Sequence, residues 1–331
     1  MQQNVAALAG LPMHFGDFGG ILVPDAFTPD FFSFAARADR VVRSEEFKAC
    51  MAVMLEKVPA MEVVTAEVNG KTVQSVRSQA LYYMVAGHLA LETLLESRYH
   101  YTGMTDEKLA CFAAEICREH GMHCLITLDR RLSEDAALKE RLAALGAEID
   151  DATCAKLYDR PQAYAFQRYL GDREHSGFIP VGTSLGAYPY PALGGYFGSM
   201  WGEKLRTAVK KPDLVAATML HGNAAVAAFR AFPDCRLATV EQPICQQYHG
   251  EFCGCSLLMV RTAKPREYSV TIAPELADMW RMAKVVRLGT EDYCEASPEA
   301  GLSASAVRAV DIISRRLPEA EHILVVEGED E

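Results

Sequence analysis

His123-Cys-Leu-Ile-Thr-Leu128, framed by a helical pattern from Asp106 to His120 and another from Ser133 to Leu145, decides the fold class of this 331-residue chain. The run is short, apolar and β-branched at its centre, which is the composition of a parallel strand buried on both faces. Gly146 reads as the C-cap of the second helix, and Ala147-Glu-Ile149 as the strand that follows it. Helix, strand, helix and strand in that order, with crossings of a dozen or more residues, predict a parallel sheet covered by helices. The same grammar recurs towards the C-terminus. Asp213–Met219 is a strand, Ala224–Phe232 a helix, Cys235–Glu241 a strand, Ser303–Leu317 a helix and His322–Val326 a strand. On the N-terminal side, helices fall near 28–40 and 44–56, the second capped by Ser44. Met61–Val68 is a strand and Val76–Glu96 a long helical pattern. The expected architecture is α/β in two domains, each a mostly parallel sheet covered by helices, joined around residues 175–205. The first spans 1–190 with a loop-rich opening, and a segment near 55–75 is free to exchange into the second, which spans 191–331.

Half of the chain is hydrophobic and 23% is charged, so a sizeable core is affordable and disorder is excluded. The net charge of −11 argues against nucleic-acid binding, which needs a concentrated basic surface. No apolar run approaches the roughly 20 residues of a membrane span. Met1-Gln-Gln-Asn4 lacks the basic stretch and apolar core of a secretory signal, so a cytoplasmic protein is expected. The ten cysteines are scattered, which suits reduced thiols packed as small hydrophobes. Cys245, His249, Cys253 and Cys255 offer four soft ligands within eleven residues. Cys-x-Cys, however, puts its two thiols on opposite faces of a strand, and no metal is expected there.

Three stretches carry a family resemblance. Phe15-Gly-Asp-Phe-Gly-Gly20 followed by Val23-Pro24 resembles the opening of the tryptophan synthase β-subunit, and Ser44-Glu-Glu-Phe47 its next landmark. Gly182-Thr-Ser-Leu-Gly-Ala-Tyr-Pro-Tyr-Pro191 is similar to that family's Gly-Thr-x-x-Gly-Pro-His-Pro-Tyr-Pro, and Ile323-Leu-Val-Val326 to its last strand. The resemblance implies a fold-type-II pyridoxal phosphate (PLP) architecture with the cofactor between two α/β domains. It implies a lyase that removes the β-substituent of serine and joins the product to indole, in a homodimer or with a paralogous synthase subunit.

The resemblance also implies four site elements. A Schiff-base lysine belongs at the start of a helix following a strand, six residues after an asparagine. Counted from Asn69 that position is Ser75, which cannot condense with an aldehyde, and Lys71 is the nearest amine, in a stretch that reads as a turn. The substrate-carboxylate loop corresponds to Glu96–Thr105, where Arg98, His100, Thr102 and Gly103 are the candidate ligands. The phosphate cradle corresponds to His221, Gly222 and Asn223 at a helix N-terminus. The C-terminal turn keeps Gly328 and lacks the serine that meets the pyridine nitrogen. Two readings follow: a PLP-dependent lyase acting on an amino acid through Lys71, or a scaffold degenerate at the PLP site that serves as a pseudoenzyme or as partner of an intact subunit.

Overall fold

The computed structural model describes residues 14–15, 18–19, 38, 40–104, 106–150, 165, 176–179, 190–218, 222–240, 285–288 and 294–328. In chain order the elements are β1 (His14–Phe15), β2 (Phe18–Gly19), α1 (Glu45–Leu55), β3 (Val63–Val68), β4 (Lys71–Arg77), α2 (Ala80–Leu94), β5 (Tyr99–Met104), α3 (Glu107–Glu119), β6 (His123–Leu128), α4 (Arg130–Ser133), α5 (Ala136–Ala144) and β7 (Glu148–Ile149). They continue with β8 (Ser176–Ile179), α6 (Tyr190–Ala208), β9 (Leu214–Ala217), α7 (Gly222–Ala231), β10 (Arg236–Val240), β11 (Val285–Leu288), α8 (Ala304–Arg316) and β12 (His322–Glu327).

Two sheets carry the fold, as the helix–strand alternation predicts. One has six strands in the order β11-β10-β9-β12-β4-β3, parallel except for the antiparallel edge β3. The other is fully parallel, in the order β7-β6-β5-β8. β3 and β4, which fall inside the first predicted span, pair with the C-terminal strands.

Strand alternation explains the layering. Val73, Leu214, Ala216, Ile323 and Val325 face α8, which lays Ala306, Val310 and Ile313 over them. Their neighbours Val76, Val215, Ala217, Leu324 and Val326 turn to the other face, against α2, α6 and α7. α2 is buried without a break from Ala80 to Glu92, so it is apolar all round rather than amphipathic. Small residues let its neighbours approach. A Cβ on Gly87 would lie 2.3 Å from the Phe197 ring, and one on Gly202 would lie 2.5 Å from the Ala227 carbonyl oxygen.

Local sequence sets most boundaries. Ser44, Asp106 and Ser303 cap α1, α3 and α8 by accepting from Phe47, Leu109 and Ala306 amides. The predicted helix Ser133–Leu145 is α5, Ala136–Ala144, which starts later because Asp135 caps it, and a separate short helix, α4, capped by Asp129, precedes it. The helix predicted from Val76 begins at Ala80, since residues 71–77 belong to a strand. Lys71 is not in a turn: the turn is Asn69-Gly70, both with positive φ (52° and 72°), and Lys71 pairs with Val68 across it. Asn-Gly between two β-branched runs is a strong two-residue hairpin signal. Glu96–Thr105 is not a loop but contains β5, a central strand of the four-stranded sheet. Most of the helix predicted near 28–40, Gly182–Pro189 and the Cys245–Cys255 cluster lie outside the described residues. Among the described residues no helix is long and apolar enough to cross a membrane.

Candidate functional site

Five parallel strands of the larger sheet end on one edge, at Arg77, Glu327, Ala217, Val240 and Leu288. Open parallel sheets bind ligands in the crevice outside this carboxyl edge, where helix N-termini also point. α2 starts there after β4, and α7 starts there after β9. Of the predicted cradle, Gly222 and Asn223 are the first two residues of α7, whereas His221 lies outside the described residues. Gly328 is buried immediately after β12.

The polar groups at this edge form a clasp. Glu327, 7% exposed, accepts from the hydroxyls of Ser75 on β4 and Ser303 at the start of α8. Its backbone carbonyl accepts from the Ser78 amide at 2.9 Å, and the Thr218 amide donates to the Val326 carbonyl at 3.0 Å. One carboxylate thus joins two strands and a helix N-terminus, whose dipole favours negative charge. No sequence signal within a window of ordinary length could have found it, since 252 residues separate Ser75 from Glu327.

The β4-to-α2 junction reads Arg77-Ser78-Gln79. Arg77 is exposed, the Ser78 hydroxyl accepts from the Ala80 amide at 3.1 Å, and Gln79 Nε2 donates to the Pro59 carbonyl at 2.5 Å. A proline carbonyl only accepts, so that bond fixes the amide orientation and leaves Oε1 buried without a donor. Ser75, the position reached by counting from Asn69, lies inside the strand rather than at this junction.

Lys71 stands at the opposite end of β4. Six residues at about 3.3 Å each place it roughly 20 Å from Arg77 along the strand. It is 8% exposed, and its Nζ donates to Pro318 O at 2.8 Å and Ala320 O at 2.6 Å, where the chain leaves α8. Charge-assisted bonds of this kind contribute about 1.5–3 kcal/mol, and the carbonyls they satisfy are costly to strand. Lys71→Met is therefore expected to lower the unfolding free energy by about 2–3 kcal/mol in urea titrations. A loss below about 0.5 kcal/mol would refute this anchoring role.

Arg98 precedes β5, at the amino edge of the smaller sheet, while His100, Thr102 and Gly103 are buried within that strand. Burial drives the His100 pKa down to about 4, against an opposing pull from the Ser97 backbone. His88, inside α2 and edge-on to Phe197 at 5.1 Å, is driven by burial to about 3. Both rings are neutral near neutrality.

No family model matches the chain. Among solved structures it is similar to a fungal L-serine ammonia-lyase from Rhizomucor miehei, with a TM-score of 0.56 at 13% identity over 81% of this chain and 92% of that one. It is also similar to a pyridoxal 5'-phosphate-dependent aspartate racemase, with a TM-score of 0.54 at 11% identity over 85% of this chain and 93% of the other. At such identities the likeness is one of fold: this chain has the two-sheet α/β fold of pyridoxal phosphate-dependent enzymes.

Proposed function

We propose that the chain is a divergent tryptophan synthase β-like protein, degenerate at its PLP site, acting as a pseudoenzyme or as partner of an intact subunit. The observation that carries the reading is the engagement of Lys71 Nζ by two carbonyls at the amino edge of the sheet. PLP, when bound as a Schiff base, supplies an electron sink, and for that it needs a primary amine at the carboxyl-edge crevice. Arg77-Ser78-Gln79 has none, so the residues at this junction do not fit a covalently held cofactor. The partner is a second copy or a paralogous synthase subunit, in the cytoplasm.

A second reading, a PLP-dependent lyase performing β-elimination or β-replacement on an amino acid such as serine, is favoured by the fold likeness to a serine ammonia-lyase. Absorbance separates the two. The purified protein incubated with PLP is expected to show no visible band that borohydride removes. A borohydride-fixed adduct mapped by peptide mass to any lysine would overturn the degenerate reading in favour of the lyase.

A further inference from the structure

We propose that the open cleft between residues 40–46 and the C-terminal end of α2 binds a free α-amino acid with an apolar side chain. The site goes beyond the reading above and stands whatever the carboxyl edge holds. The cleft has a volume of about 400 Å³, within the roughly 300–1,000 Å³ of small-ligand sites. Its described lining is Arg40, Val41, Ser44, Glu46, Leu94 and Leu95. α2 runs from the carboxyl edge at Ala80 to Leu94, so its 15 residues at about 1.5 Å each put the cleft roughly 20 Å from that crevice.

The lining matches each part of such a ligand. Arg40 and Glu46, one cation and one anion, are both exposed, and among the described residues neither has an ion-pair partner. Val41, Leu94 and Leu95 supply a half-buried apolar surface. A simple carboxylate would leave Glu46 unmatched and a simple amine would leave Arg40 so, whereas a zwitterion answers both. It also has no net charge, so the chain's −11 does not repel it. The Arg40 fork suits the carboxylate through two parallel bonds. Ser44 Oγ accepts from the Phe47 amide at 3.0 Å, which leaves its O–H to donate to that same carboxylate. The ammonium turns to Glu46 and to the C-terminal end of α2, where the helix dipole is negative. The walls are set in advance. The Ser44 amide donates to Val41 O at 2.9 Å and the Leu95 amide to Leu91 O at 3.0 Å, while Val42 and Phe47 anchor the segment in the core.

Chemical-shift titration of the full chain with L-leucine tests this. Saturable shifts are expected at residues 40–46, 94 and 95. Binding should be weaker for glycine, which lacks the side chain, for 4-methylpentanoate, which lacks the ammonium, and for 3-methylbutylamine, which lacks the carboxylate. Arg40→Gln and Glu46→Gln, both at exposed positions, should each weaken L-leucine about three- to fivefold, the upper range for an exposed charge pair. Either half-ligand binding as tightly as L-leucine would overturn the zwitterion, and so would an affinity unchanged in both variants. Absence of saturable shifts would overturn the site itself. Shifts confined to Arg77–Ala80 would overturn it too, and would favour instead the lyase reading of the carboxyl edge.

Discussion

Lowering the pH from 7 to 5 is expected to destabilise the chain steeply, because two core histidines must be protonated on unfolding and stay neutral when folded. His88 and His100 have folded pKa values of about 3 and about 4, against an ordinary value of 6.5. The direction follows from linkage. Between pH 4 and 6.5 the unfolded chain binds protons that the folded chain refuses, so stability is full above pH 6.5 and falls as pH drops. Each histidine approaches about 1.4 kcal/mol per pH unit, so the pair approaches about 3 kcal/mol per unit below pH 6. Between pH 7 and 5 the pair removes about 4 kcal/mol, a large share of a total stability of about 5–15 kcal/mol. Urea-unfolding free energies of the wild type, His88→Leu and His100→Leu between pH 7.5 and 5 provide the check. Each substitution should remove one proton from the slope, and slopes parallel to the wild type would refute the assignment.

Gly202→Ala is expected to be the most damaging conservative change in the core. Its methyl would sit 2.5 Å from a backbone oxygen of α7, and neither partner can swing away as a side chain would. α6 must lift off α7, which loosens Trp201 and Leu205, both fully buried. Overpacking of this kind costs about 1–3 kcal/mol, and backbone displacement puts the upper end in reach. At Gly87 the obstacle is the Phe197 ring, itself stacked on Phe47 at 5.6 Å. Thermal denaturation of Gly202→Ala should show a loss of about 2–4 °C, and an unchanged melting temperature would mean that the helices are not so tightly apposed.

Much of the layer order was legible in the sequence because it rests on local signals. Ser44, Asp106 and Ser303 announced helix starts, and His123–Leu128 announced a buried parallel strand. Where reading failed, a competing pattern was stronger. β5 carries Tyr99, His100 and Thr102, polar enough to resemble a binding loop, yet the strand is buried at the centre of its sheet. A turn near Lys71 was legible, but the strand that follows it, β4, was not. The helix pattern then ran on to Val76, although α2 starts at Ala80. The carboxyl-edge clasp was illegible for another reason. Ser75, Ser303 and Glu327 meet only because β4 and β12 are neighbours, and nothing in a window of twenty residues encodes that pairing.

The pairing of β12 between β4 and β9 has a consequence for biosynthesis. The described strands of the four-stranded sheet fall within residues 99–179, so all of them are made before β12. The six-stranded sheet waits: β4 and β9 are both made before β12, the strand that joins them. Until then both present unpaired amides and carbonyls, the usual templates for wrong pairing between nascent chains. A translation arrest just before β12 would therefore leave one sheet assembled and the other with a sticky seam.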